Sequence, residues 1–559
     1  MGKNLRVAMA QINCVVGDVD GNSRKVIEYI NKAKEVGADI IAFPELSVTG
    51  YPPEDLLLKD KFVDDNLDGL KKIVKAADDI VVIVGFADKN ENLLYNAAGV
   101  IYKGAIKGIY HKVFLPNYGV FDEKRYFESG NRPLIFKLGK FVFGVNICED
   151  IWHKSGPTKL QAAKGAGLII NINSSPYHVG KIKEREEVVK NAAKTNDIVI
   201  AYINLVGGQD ELVFDGQSML VDNSGKIVQR AEAFKEDLLI ADVPIPIKKL
   251  CDPKEYIVIN EDYRPKDTGL ELTRREIKPP EMITEVYEAL VLGLKDYVLK
   301  NGFEKAVVGL SGGIDSSLVA ALAVDAISSD NVIGVFMPTR YSSEESEADA
   351  KSVAANLGMK FINISIDHIF KIYLLALEQQ FAGRGRDTTE ENLQARIRGN
   401  IMMALSNKFG WLVLTTGNKS EMSTGYATLY GDMAGGLAVI KDVPKTLVYK
   451  LARYRNNIGK VIPERVLTKE PTAELKADQK DKDTLPPYDV LDPILKAYIE
   501  EDEELKDIVS LGYDKETVSR VLNMVDRSEY KRRQSPPGIK ITPKAFGKDR
   551  RMPITNKYR

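Results

Sequence analysis

The stretch "GLSGGIDSS", residues 309–317, constrains this chain more than any other. The apolar run "KAVVGL" leads into it as a strand, and "LVAALAVDAIS" leaves it as a helix. Gly312 and Gly313 let the backbone approach an anion closely, while the following helix aims free N–H groups and its dipole at the same point. Ser311, Ser316 and Ser317 add hydroxyl donors. Strand, Gly-rich turn and helix in this order call for a βαβ unit, hence a parallel sheet with its ligand site at the strand C-termini. No GK[ST] follows, so this is not the loop whose lysine reaches a γ-phosphate.

The second half continues in the same rhythm. The helix "EMITEVYEALVLGLKDYVLKNG" precedes the loop, and the strands "NVIGVFMP", "KFINISID" and "WLVLTTG" follow with helices between them. Residues 282–559 are therefore expected to form a doubly wound, mostly parallel α/β domain. The first half is built differently. "LRVAMAQI", "ADIIAFPE" and "IVVIVGFAD" read as strands, "NSRKVIEYINKAKEVG" as an amphipathic helix stopped by Gly37, and "LYNAAGVIY" with "AIKGIYHK" as a hairpin. Later strands are "FVFGVNIC", "GLIININSS" and "IVIAYINLVG", and "SMLVDNSGKIVQRA" is a hairpin around Asn223-Ser224-Gly225. This mixture predicts an α/β sandwich over residues 1–258. Periodicity fades from about residue 244, and residues 259–281, rich in Pro and charge, read as a linker.

The length of 559 residues suits two to four domains, and a net charge of -1 argues against a general nucleic-acid or membrane-surface binder. The basic segments "EYKRRQ" and "GKDRRMPITNKYR" are either local phosphate contacts or a solvated tail. Three cysteines form no CxxC pair, which favours a reducing compartment. "MGKNLRVAMAQINCVVG" enters a strand without an h-region, and no run approaches eighteen apolar residues, so a cytoplasmic location without membrane contact is expected.

Cys148 in "GVNICEDIW" ends an apolar run and precedes two acids. A thiol attacks only as thiolate, its ordinary pKa is about 8.5, and nearby acids raise it further. Cys148 is either an inert core residue, or other parts of the chain supply it with a base and a positive charge. Cys14 and Cys251 read as structural thiols. His111, His153, His178 and His368 show no metal-ligand spacing and read as structural or surface residues.

The 309–317 loop resembles the SGGxDS loop of the ATP pyrophosphatases, which grip the pyrophosphate that leaves when a substrate is adenylated. "MPTRYSSEESEADA", "TEENLQARIRGNIMM", "TTGNKSEMSTGYATLYGDMAGG", "KDVPKTLVYKLA" and "EPTAELKADQKDKDTLPPYDVLD" follow in sequence, and together they resemble the NAD synthetases over residues 280–540. The resemblance implies ATP contacts from Gly309, Leu310, Ser311, Gly312, Gly313, Ile314, Asp315, Ser316, Arg340 and Thr416. It implies Mg²⁺ at Asp315 and Glu421. It also implies deamido-NAD⁺ contacts from Asn392, Glu421, Asp432, Lys445 and Lys531, although "EYKRRQ" lacks the His that many relatives carry before Lys-Arg.

Residues 4–245 resemble the glutamine-amidase branch of the nitrilase superfamily, whose fold is an α-β-β-α sandwich. "FPELSVTGYPPEDLL", "YHKVFLPNYGVFDEKRYF" and "NICEDIW" carry Glu45, Lys112 and Cys148 in the order of that family's Glu-Lys-Cys triad. The resemblance implies a base, a fixed charge and a nucleophile, with glutamine held by Tyr118, Glu123, Ser175 and Lys181. Ammonia from glutamine would then amidate deamido-NAD⁺ at the expense of ATP, giving NAD⁺, AMP, pyrophosphate and glutamate. Synthetase domains of this kind dimerise and glutamine-dependent forms assemble further, often to octamers, so a homo-oligomer is implied. The rival readings are another glutamine-fed ATP pyrophosphatase and a decayed amidase serving as scaffold; the first lacks a Glu-Lys-Cys pattern, and the intact triad weighs against the second.

Overall fold

Strand Leu5–Gln11 is buried along its whole length, and alternate residues Leu5, Val7 and Met9 face a core shared with Phe143, Val145 and Ile147. That alternation is the signature of two sheets packed face to face. The computed structural model describes residues 4–248, 256–266, 269–272, 275, 277–472, 474–476 and 479–558. Two units divide the chain, Met1–Gln209 with Val213–Pro280, and Asp210–Leu212 with Glu281–Arg559.

In the first unit, one sheet orders Asp237–Val243, Leu5–Gln11, Ile40–Ala42, Val81–Asn90, Leu93–Tyr102 and Ala105–His111 as neighbours. The other orders Ile227–Arg230, Met219–Val221, Val199–Asn204, Leu168–Asn173, Phe141–Ile147, Ile135–Leu138 and Tyr256–Asn260. Both are mixed: Phe141–Ile147, Leu168–Asn173 and Val199–Asn204 run parallel, while the expected hairpins at 93–111 and 219–230 are antiparallel. Helices Val19–Glu35 and Asp60–Ala76 pack together outside the first sheet. Helices Pro157–Ala163 and Lys181–Asn196 cover the second through Ala162, Ile182, Val189 and Ala193. The fold is an α-β-β-α sandwich. Each fully buried Phe or Ile in its core contributes about 1.5–3 kcal/mol relative to exposure.

The structure draws the boundary of this unit later than the sequence reading. Tyr256–Asn260 adds a strand beside Ile135–Leu138, and residues beyond it are bonded back to the same unit. Tyr263 Oη donates to Asp39 Oδ1 at 2.6 Å, and both terminal nitrogens of Arg275 meet Asp237 at 2.8 Å. Among the described residues of the stretch read as a linker, Lys266 and Arg275 are paired with Asp79 and Asp237. Cys251 lies outside the described residues.

In the second unit the sheet order is Lys360–Asn363, Val332–Phe336, Ala306–Gly309, Leu412–Thr415 and Leu437–Ala438, every pair parallel. The chain winds first to one side of Ala306–Gly309 and then to the other. That reversal opens a crevice at the strand C-termini. Helix Ile314–Ile327 follows the Gly-rich turn and is buried on nearly all sides. Helices Tyr488–Ile499 and Lys515–Arg527 build a second core with Leu491, Ile494, Val518 and Val521. The basic stretch after them is engaged in part. Arg532 pairs with Glu529 at 2.9 Å and Lys540 with Asp549 at 2.5 Å.

No helix among the described residues is long and apolar enough to cross a membrane.

Candidate active sites

Cys148 ends the parallel strand Phe141–Ile147 and opens a short helical turn, with a left-handed φ of 45°. A non-glycine residue held there is strained, and such strain concentrates where a nucleophile must be presented at a sharp strand-to-turn junction. Glu45 lies past strand Ile40–Ala42, on a loop pressed against Gly85. A Cβ on Gly85 would sit 2.4 Å from Leu46 N, so only glycine lets this loop lie flat on the sheet. Lys112 follows the hairpin strand Ala105–His111.

These three elements bring Lys112 Nζ 2.7 Å from Glu45 Oε1 and 2.8 Å from Glu123 Oε1. The Glu45 carboxylate also accepts from Asn96 Nδ2 at 2.7 Å and from Ser174 N at 2.9 Å. Burial opposes the Lys112 charge, but Glu123 and Glu45 outweigh it and hold its pKa well above the ordinary value. Burial pushes the Glu123 carboxyl up to about 7. Burial, and then the Glu45 charge, raises the Cys148 thiol; Lys112 opposes them and Glu149 adds to them. The resting thiol therefore keeps its proton and needs a base to lose it.

Asn96, Ser174 and Asp150 belong to this site and escape a sequence reading. Asp150 accepts from the backbone N–H groups of Val113 (3.1 Å), Phe114 (2.9 Å) and Ile147 (3.1 Å) and from Tyr110 Oη (2.8 Å). It ties the segment after Lys112 to the cysteine turn, a structural use for one of the two acids beside Cys148.

The expected glutamine-binding residues are more dispersed. Ser175 follows strand Leu168–Asn173, the neighbour of the cysteine strand, and its hydroxyl accepts from Arg185 Nε at 3.1 Å. Arg185 is itself buried against Asp215 at 2.6 Å. Tyr118 is exposed and donates to Glu149 Oε2 at 2.9 Å. Lys181 lies over the Trp152 ring and pairs with Glu184 at 2.8 Å. Glu123 contacts Lys112 directly, at the triad itself.

In the second unit, Gly309, Leu310, Ser311, Asp315, Ser316, Thr416, Glu421 and Asp432 line one cavity of about 270 Å³ at the strand C-termini. Gly312, Gly313 and Ile314 line an adjoining space with Lys445. Gly312 has a φ of 77°, and a Cβ there would meet Ser346 O at 2.3 Å. The loop's hydroxyls differ from expectation: Ser316 and Ser317 donate back to Gly313 O at 3.1 and 2.7 Å. They brace the turn, and the N–H groups of Ser311 and Gly313 donate in turn to Ser316 Oγ and Ser311 Oγ, each at 3.2 Å.

Asp315 Oδ2 lies 2.5 Å from Lys445 Nζ, and Glu421 Oε1 lies 3.4 Å from the same nitrogen. Asn418 Nδ2 donates to Asp315 Oδ1 at 3.0 Å. Burial and the Asp315 charge push Glu421 up to about 8, against Lys445. Burial in the cavity wall pushes Asp432 up to about 6, and Thr428 N–H opposes it. Asn392 accepts from Thr428 Oγ1 at 2.8 Å, which places it one hydrogen bond from Asp432's own partner.

Two expected contacts are otherwise engaged. Arg340 makes a paired contact with Asp367 at 2.8 and 3.0 Å and does not line the cavity. Lys531 donates to Gly425 O and Ala427 O at 2.7 and 2.8 Å, fastening the loop between Glu421 and Asp432. Among the described residues no histidine joins a cluster that could hold a metal ion; His111 pairs with Asp88 at 2.7 Å and His153 stacks on Phe114. Cys14 is buried.

Known proteins divide along the same line. The carbon-nitrogen hydrolase family model matches residues 6–246, and the NAD synthase model matches residues 286–535. The glutamine-dependent NAD(+) synthetase of Thermotoga maritima is 49% identical over 100% of this chain and 99% of its own length. That of Aquifex aeolicus is 49% identical over 99% of this chain and all of its own. The solved structure of the Acinetobacter baumannii glutamine-dependent NAD+ synthetase in complex with ADP superposes with a TM-score of 0.76 at 44% identity, covering 99% of both chains. The chain belongs to the glutamine-dependent NAD(+) synthetases, enzymes that join a glutamine amidase domain to an NAD synthase domain.

Proposed function

We propose that Cys148 attacks the side-chain amide of glutamine with Glu45 as base, and that deamido-NAD⁺ is activated as an adenylate before the released ammonia attacks it. The observation that carries the first half is the buried Lys112 held by two carboxylates beside a strained cysteine. Glu45 takes the thiol proton and returns it to the leaving ammonia. The sulfur–carbon bond forms as the carbonyl oxygen gains charge, and Lys112, unable to lose its proton, faces that charge. Water then hydrolyses the thioester to glutamate, again with Glu45 as base. Glu123 fixes Lys112 in place.

The second half rests on the crevice loop and on the ADP bound by the Acinetobacter baumannii relative. The Gly312–Gly313 turn of the crevice loop, where the backbone carries no side chain, holds the terminal phosphates of ATP. Asp315 and Glu421 fit Mg²⁺: they are hard oxygen donors that already share one cation, Lys445, and Mg²⁺ takes few protein carboxylates. The ion would neutralise phosphate charge when bound. Asp432, Asn392 and Lys445 frame the dinucleotide, and Lys531 takes part through the loop it fastens at Gly425 O and Ala427 O. A homo-oligomer is the proposed assembly, which a mass measurement in solution tests.

The adenylate is tested with deamido-NAD⁺ labelled with ¹⁸O in its nicotinate carboxylate. One label should appear in the AMP phosphate for each NAD⁺ made. Unlabelled AMP, or ADP and phosphate as products, would falsify the adenylate route.

A further inference from the structure

Arg398 lies in the wall of the crevice cavity, on helix Thr388–Phe409, and no carboxylate reaches it within ion-pair distance among the described residues. Its Nε donates to Met337 O at 3.0 Å. Four more deeply buried arginines are treated differently. Arg185 meets Asp215 at 2.6 Å, Arg6 meets Asp242 at 2.8 Å, Arg532 meets Glu529 at 2.9 Å, and Arg230 pairs with Glu186. Arg398 is half-buried, and a guanidinium that faces a cavity with no counter-ion is free to meet an anion entering it. Burial lowers its pKa to about 10, with Glu474 and Asp432 acting on it from a distance.

Its placement is specific. Gly399, the next residue, lets the helix close on the loop before Asp432, because a Cβ there would meet Gly431 O at 2.8 Å and Tyr430 O at 2.9 Å. Arg398 thus shares one cavity with Ser311 and Asp315 of the phosphate loop and with Thr416 and Asp432. A nucleotide whose terminal phosphates rest on the loop would lie in the cavity that Arg398 lines.

We propose that Arg398 is a catalytic residue of the synthetase half, gripping the α-phosphoryl oxygens of ATP while a carboxylate attacks there. This rests on the adenylate reading above. The carboxylate oxygen of deamido-NAD⁺ bonds to the α-phosphorus, the α–β phosphoanhydride bond breaks, and pyrophosphate leaves with the electron pair. Charge on the two non-bridging α-oxygens meets a planar guanidinium that can bind both at once.

The test uses the full-length enzyme and deamido-NAD⁺-dependent exchange of labelled pyrophosphate into ATP. Arg398→Met should lower exchange by about 100-fold or more, the scale of losing one preorganised donor, and depress glutamine-driven and ammonia-driven synthesis alike. Its melting temperature without ligands should stay level or rise, because an uncompensated charge has gone, while the upward shift given by Mg-ATP should shrink. Arg398→Lys should restore part of the exchange, since a point charge returns without the fork. Near-wild-type exchange in Arg398→Met, or a destabilised or unfolded variant, would overturn the assignment in favour of a spectator or a structural residue. Absence of exchange in the wild-type enzyme would remove the adenylate reading itself, and the assignment with it.

Discussion

Lys112 Nζ lies 2.7 Å from Glu45 Oε1, and both side chains are closed to solvent. A charge pair so placed is costly to remove from water and is stable only while both members remain. Lys112→Met leaves Glu45 and Glu123 facing each other without a cation, so the pair takes up a proton and the base is lost. Glutamine-driven NAD⁺ synthesis should fall by about 10²–10³-fold, the scale of an oxyanion-stabilising group. Ammonia-driven synthesis should persist, and comparing the two rates checks it.

The pH dependence of glutamine hydrolysis follows from the same pair. Burial pushes Glu123 up to about 7, with Lys112 opposing and the Glu45 charge adding to the rise. As pH falls through about 7 Glu123 takes up a proton and its hold on Lys112 weakens, so kcat/KM for glutamine should drop on the acid side. Glu123→Gln removes the group that titrates there. Its acid limb should shift to lower pH at a reduced maximal rate. An acid limb that stays in place, or moves upward, speaks against Glu123 as the titrating group.

The chain announces its chemistry more clearly than the framework around it. Glu45, Lys112 and Cys148 stand out because residue types suited to a base, a fixed charge and a nucleophile sit in ordered, patterned segments, and the Gly312–Gly313 turn stands out because few backbones can replace it. Asn96 and Asp150 stay hidden, since their value lies in hydrogen bonds to residues 51 and 37 positions away that spacing cannot reveal. Arg398 is hidden within a helix rich in charge. Strand Tyr256–Asn260 is masked by the Pro and charge around it, whose partners exist only after folding.

Asp315 holds Lys445 at 2.5 Å and accepts from Asn418 at 3.0 Å, so one carboxylate orders both walls of the crevice. Asp315→Asn keeps the shape and removes the charge. Synthesis from glutamine and from ammonia should be lost together, because in the proposed route both pass through the same adenylated acid. A near-normal ammonia-driven rate would remove Asp315 from the site.

Arg185 is fully buried and bonds Asp215 at 2.6 Å, Ser175 Oγ at 3.1 Å and the carbonyls of Ser175 and Pro176 at 2.8 and 2.9 Å. Asp215→Ala strands that guanidinium without a counter-ion. The first unit should lose about 3–5 kcal/mol in denaturant unfolding. KM for glutamine should rise, because the Ser175 turn loosens. Unchanged stability would mean that the pair contributes nothing beyond a hydrophobic substitute.

The most direct test of the account is Cys148→Ala, assayed side by side with glutamine and with ammonium salt. Loss of the only nucleophile among Glu45, Lys112 and Cys148 should abolish the glutamine-driven rate, while residues 281–559 still convert ammonia, best at higher pH where more of it is NH₃. A structural cysteine would instead leave a cavity costing on the order of 1 kcal/mol and dent both rates together. Ammonia-driven synthesis near wild type with no glutamine-driven synthesis is the predicted result; equal loss of both, or survival of the glutamine rate, contradicts it.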